Sequence, residues 1–291
     1  MEPTLVLLLN TVAAGLMLGG FYAAVTAGVS ISFGMLDIVN IAHPALIVLG
    51  AFAVHGASLW LAVDPLLASL LLTPLFYAAG TLLYRVYHAV FERHGQEAIR
   101  GMAFFFGLMF VVEVGLTMGF GADFRFVQAA YIGPTLSVGP LDLPLRMLVP
   151  AALALAMIGG THLFLTRSFA GRAILAVAQD HAALRLMAVD PARVKRLAFG
   201  LSVASAVVAG GLLLIIQPVD PSSGREFIGR VFAICVLGGL GSLPGTVLAA
   251  LALGLVESLT ATFCGPSWSP AIAFGFLLVT LAVRPAGLFG R

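Results

Sequence analysis

An all-α polytopic membrane protein is the fold class this sequence predicts, and three observations predict it. Of 291 residues, 60% are hydrophobic and only 10% charged, where a soluble chain averages about a quarter charged. The apolar residues come in runs of the length a helix needs to cross a bilayer core, about 20 residues. The runs are too long and too uniform for the alternating strands of a barrel, whereas a helix satisfies its own backbone groups in lipid. A net charge of +2 gives no case for nucleic acid.

Eight spanning helices follow, over about 5–33, 41–62, 65–88, 101–120, 147–166, 194–217, 243–262 and 267–284. The first begins with Glu2 in place of a basic region and is too long for the apolar core of a signal peptide. Gly15 and Gly19 on it, like Gly115 and Gly119 on the fourth, form small-xxx-small faces that let helix backbones approach closely. Between the first and second spans, "GMLDIVNIAHPALIVLG" carries Asp37, Asn40 and His43 before a proline. Gly34 ends one helix there and Pro44 sits in the first turn of the next, where its missing N–H costs nothing. A ninth apolar piece, 227–241, is too short to cross and is expected to be a half-crossing helix buried among its neighbours. It runs into a second broken stretch holding Gly238, Gly239, Gly241, Pro244 and Gly245. The two broken stretches resemble each other, as in transporters built from repeated halves. Cys235 and Cys264 lie in different apolar segments with no metal-ligand spacing, and both are expected to be small buried apolar residues.

Basic residues orient the chain. Arg85, Arg93 and Arg100 share one loop; Arg167, Arg172, Arg185, Arg193, Lys195 and Arg196 share another; Arg284 and Arg291 lie last. The positive-inside rule makes these cytoplasmic and puts the N-terminus outside, with Arg125, Arg146, Arg225 and Arg230 on the outer side. The parity closes with a cytoplasmic C-terminus if 227–241 goes in and 243–262 comes back out.

The cytoplasmic loop 167–196 has helical spacing at Ile174, Val177, Leu184 and Met187. Asp180 is placed to cap a short helix, and Asp190-Pro191 to start the next span. Such amphipathic segments either rest on lipid headgroups or dock into a groove of a cytosolic partner, and composition leaves both open.

Glu113 and Glu257 lie inside apolar helices. An intramembrane carboxylate is costly, so it either pairs with a neighbouring helix or contacts a cationic group of a substrate. Asn40 and His43 either satisfy freed backbone groups at the broken junction or line a route. The chain's single lysine, Lys195, has no phosphate-binding loop around it, and no nucleophile–base set or metal-ligand cluster is present. No enzyme chemistry, cofactor or metal is expected. A stand-alone ion-coupled carrier using Glu113 and Glu257 is the alternative to a subunit driven by others.

Three segments carry a resemblance. "GLMLGGFYAAVTAGVSISFGMLDIVNIAHPALIVLGAF", "GRAILAVAQDHAALRLMAVDPARVKRLAFGLS" and "VLGGLGSLPGTVLAALALGLVES" resemble, in order and spacing, those of the branched-chain amino-acid ABC transporter permeases of the LivH type. The chain departs from that pattern at Pro44 and Ala188, each where the family has glycine, and at Ala249 and Ala250. The resemblance implies a permease subunit in a bacterial inner membrane, importing a branched-chain amino acid or a related small polar solute. It implies a second, related permease, two cytosolic ATPase subunits that supply the energy, and a periplasmic binding protein. It also turns the loop into a coupling helix, with Gly171, Arg172, Ala176, Gln179, Asp180 and Arg185 facing the ATPase. The substrate pathway would then involve Asn40, His43, Glu113 and Glu257.

Overall fold

The computed structural model describes residues 3–92, 97–179, 189–283 and 287. Helices dominate it: α1 (Pro3–Ser32), α2 (His43–Leu61), α3 (Pro65–Val90), α4 (Glu97–Phe120), α5 (Leu145–Arg167), α6 (Phe169–Val177), α7 (Pro191–Ile216), α8 (Gly224–Gly238), α9 (Leu243–Phe263) and α10 (Ser269–Val283). Eight are long and apolar enough to cross a membrane, the last counted from the 3₁₀ turn at Pro266. The 15 residues of α8 extend only about 22 Å at 1.5 Å each, short of a bilayer core of about 30 Å.

Capping residues set where these helices begin. Asp64 accepts the Leu66 N–H at the head of α3, Ser168 the Gly171 N–H at α6, Asp190 the Ala192 N–H at α7, and Ser242 the Gly245 N–H at α9. Each answers one backbone donor that the first turn leaves free.

The inner half of α1 and most of α7 are buried on every side and form the core, packed by α2, α3, α5 and α9. Close approach there depends on missing side chains. A Cβ on Gly19 would lie 2.6 Å from Leu251 Cα on α9, and one on Gly50 would lie 2.7 Å from Val207 Cα on α7. Gly115 and Gly119 behave differently: nothing described lies within 4 Å of either, so their face meets no neighbour within the described chain. Cys235 is buried, but Cys264 is exposed beyond the end of α9, contrary to the sequence expectation.

The α4–α5 connection contains an antiparallel hairpin, β1 (Thr135–Val138) with β2 (Leu141–Pro144), in the register Thr135↔Pro144. Asn10 on α1 holds it, donating to the Pro140 carbonyl at 3.0 Å and accepting from the Asp142 N–H at 2.8 Å. Further along, Arg125 and Val219 exchange both backbone hydrogen bonds, tying this connection to the α7–α8 segment.

Candidate functional site

The two broken stretches meet. After α1 the chain turns at 33–36, passes irregularly through Asp37 to Asn40, and turns again into α2, with Pro44 in its first turn. Asp37 is exposed and takes a left-handed backbone (φ 56°). On the other side, Gly239 and Gly241 have φ of 86° and 81° and reverse the chain between α8 and α9. Only glycine adopts such angles without strain. Gly34 and Gly241 then touch backbone to backbone: a Cβ on Gly241 would lie 2.6 Å from the Gly34 carbonyl oxygen. Gly238 is pressed against Gly245 in the same way, Pro244 opens α9, and Ser30 shares a hydrogen bond with Thr246 at 3.0 Å.

Asn40 and His43 are wholly buried at this junction, and neither side chain has a hydrogen-bond partner among the described residues. The His43 imidazole fills a notch left by Gly28, close to Ser205. Ser202 donates to the Gly28 carbonyl at 2.7 Å and pins α7 to α1 at this level. Buried polar atoms without partners are uncommon in native proteins and call for a physical reason.

The two intramembrane carboxylates sit in a different place, around the N-terminal half of α8. Glu257 on α9 is buried and accepts from Arg230 Nε at 3.0 Å and from the Tyr22 hydroxyl at 2.6 Å. The Arg230 guanidinium also lies over the rings of Tyr22 and Phe227. Glu113 on α4 accepts two parallel bonds from Arg225, at 2.9 and 2.7 Å. Both arginines belong to the group that the positive-inside rule puts on the outer side. In the fold they reach back to carboxylates on other helices. Tyr22 lies about 28 Å along the roughly 45 Å of α1, and Tyr22, Glu113 and Glu257 all belong to helices long and apolar enough to cross a membrane. Even so, the Arg225 side chain is 53% exposed and Glu226 beside it is exposed too.

At the opposite end, α6 folds back on α5. A Cβ on Gly171 would lie 2.8 Å from Leu165 C, and Ile174 and Val177 are buried beneath the helix. Arg172 and Gln179 are exposed and Ala176 is half-buried. Asp180 and Arg185 lie outside the described residues. The first turns of α7 lead from this loop to a cluster that sequence reasoning missed. Lys195 Nζ donates to Glu92 Oε1 at 2.7 Å, while the Tyr84 hydroxyl at 2.6 Å and His88 Nδ1 at 2.8 Å engage Oε2. Burial raises the affinity of Glu92 for a proton, but these three hydrogen bonds outweigh it and hold the carboxyl below its usual range. A lone lysine at the start of an apolar span was the available signal.

The family described as the permease component of branched-chain amino acid transport systems matches residues 11–281. The chain is 27% identical to the BraD permease protein of the high-affinity branched-chain amino acid transport system of Pseudomonas aeruginosa, over 97% of this chain and 96% of that one. It is 26% identical to the LivH permease protein of Escherichia coli, over 95% and 94%. A shorter stretch, 40% of this chain, is 34% identical to 28% of the Escherichia coli LivM permease protein. No solved structure matches.

Proposed function

The chain belongs to the family of permease components of branched-chain amino acid transport systems, and from that premise we propose how it works as the membrane subunit of an ATP-driven importer. Two cytosolic ATPase subunits supply the energy, a periplasmic binding protein delivers a small amino acid, and a second, related permease completes the pore. LivM, a permease similar to part of this chain, supports a paired arrangement of related chains.

The observation that carries the pathway is the charged edge of α8. On this reading Arg225, Glu226 and Arg230 lie at bilayer depth, and Arg225 and Glu226 are exposed. Charges at that depth face water or protein in place of lipid. The substrate route therefore runs along α8, between this chain and the second permease, past Glu113 and Glu257. Asn40 and His43 lie on its inner stretch and become accessible when the junction at Gly34 and Gly241 parts. Discontinuous helices beside a route are a recurring transporter design.

The ion-coupled alternative is disfavoured by the same geometry. A carboxylate that shuttles a proton must lose its counter-ion in each cycle, and Glu113 and Glu257 are each held by an arginine.

The loop around α6 faces the cytoplasm and is the lever on which the ATPases act. Because α6 is packed against α5 through Gly171, Ile174 and Val177, a push on Arg172 and Gln179 passes to the bundle as a rigid-body motion. Arg172→Glu tests this: substrate-dependent ATP hydrolysis and uptake should fall at least tenfold with the membrane fold intact. Unchanged uptake with the ATPases still bound would contradict the reading.

A further inference from the structure

Glu226, Gly229 and Arg230 on α8, with Ala233 below them and Pro270 and Phe274 across on α10, line a cavity of 350 Å³. Its polar groups are incompletely engaged. Arg230 gives Nε to Glu257 and one amino group weakly to the Glu226 carbonyl at 3.3 Å, and its other amino group has no hydrogen-bond partner among the described residues. The Glu226 carboxylate has neither a hydrogen bond nor an ion pair among the described residues. Glu257 anchors the guanidinium from behind, so Arg230 is held in place with an edge to spare. The Phe274 ring lies directly against Gly229, which lacks a side chain, and forms an apolar wall.

We infer that this cavity holds the zwitterionic head of a free α-amino acid, with Arg230 taking the carboxylate, Glu226 the ammonium, and Ala233, Pro270 and Phe274 the aliphatic side chain. The inference rests on the route proposed along α8 and names the contacts on it. Three features agree. The two charges are opposite and one helical turn apart, which puts i and i+4 side chains on one face. Guanidinium is the side chain best shaped to bind a carboxylate through paired N–H groups. At about 30 Å³ for each water-sized group, the space suits an amino acid of leucine's size.

The test uses the full chain in nanodiscs with whatever subunits accompany it, and no binding protein. Titrated L-leucine should raise the thermal unfolding temperature, whereas isoamylamine, which lacks the carboxylate, and 4-methylpentanoate, which lacks the ammonium, should not at tenfold higher concentration. Glu226→Gln should fold normally, since Glu226 is exposed and its carboxylate makes no hydrogen bond or ion pair among the described residues, and should weaken the leucine effect at least tenfold. Arg230→Lys keeps the charge on Glu257 paired but loses the second donor edge, and should weaken leucine while leaving the ligand-free unfolding temperature near wild type. Equal effects of leucine and either half-analogue, a full leucine effect in Glu226→Gln, or a response to added phosphatidylethanolamine alone would each overturn the inference. If the assembled Glu226→Gln transporter imports leucine as well as wild type does, the site falls and the permease reading stands. If the wild-type assembly does not import leucine at all, the proposed function itself is at fault.

Discussion

Replacing Gly28 by alanine puts one methyl group into the notch that His43 occupies. The new Cβ would sit 2.5 Å from His43 Nε2 and 2.6 Å from Ser205 Oγ, and closer still to His43 Cε1. Real Cβ atoms do not approach that near, so something must move. The helix cannot retreat easily, because the Gly28 carbonyl is bonded to Ser202 on α7. The imidazole cannot swing into solvent, because it is wholly buried. Overpacking of this kind costs about 1–3 kcal/mol, while exchanging glycine for alanine inside a helix returns at most about 1 kcal/mol. Net destabilisation of between about 0 and 3 kcal/mol follows from these two terms. The sharper quantity is the coupling. His43→Ala empties the notch, and Gly28→Ala then fits, so the double variant should be more stable than the sum of the single effects by at least about 1 kcal/mol. Reversible unfolding of the four proteins in detergent or bicelles measures the cycle. Additive effects would show that His43 does not sit against Gly28, and the account of the buried junction would fail with it.

The ion pairs make further predictions. Arg230→Gln takes the guanidinium away from the buried Glu257 carboxylate and should cost about 3–5 kcal/mol of stability, with most of it recovered in the Arg230→Gln/Glu257→Gln double variant. At the Lys195–Glu92 cluster, Glu92 holds a folded-state pKa below its ordinary 4.5. Its contribution is therefore fully present above about pH 4.5 and is lost as the pH falls through the lowered folded value. Lys195→Met should flatten that acid limb in a thermal-stability profile taken from pH 3 upwards, in steps of about half a unit. Gly171→Val would drive a side chain into α5 at Leu165; ATPase stimulation should fall by more than half while the protein still inserts and elutes as a single species.

The bundle was legible because a crossing helix writes itself as some 20 apolar residues, whatever it packs against. Asp190-Pro191 could be read as a helix start because its chemistry is local, and the structure opens α7 there. What depended on distant partners was not legible. Glu113 meets an arginine 112 positions away and Glu257 one 27 positions away, and no local pattern pairs them. The two small-xxx-small faces illustrate the same limit. Gly15 and Gly19 pack against α9, whereas Gly115 and Gly119 meet nothing in the described chain, although their spacing is identical. A motif states what a helix can approach, and the rest of the fold decides whether it does. The hairpin at 135–144 escaped because four-residue strands carry too few residues to display a period. That the two glycine-proline breaks would touch at Gly34 and Gly241 was likewise beyond a reading of each stretch alone.

On the proposed function, this chain is a gate moved by subunits that it does not contain. Proteoliposomes holding the purified chain alone, or the chain assembled with the proposed second permease, ATPases and binding protein, measure this through uptake of labelled leucine. Uptake is expected only in the full assembly and only with ATP. Accumulation by the chain alone under an imposed proton or sodium gradient would contradict it.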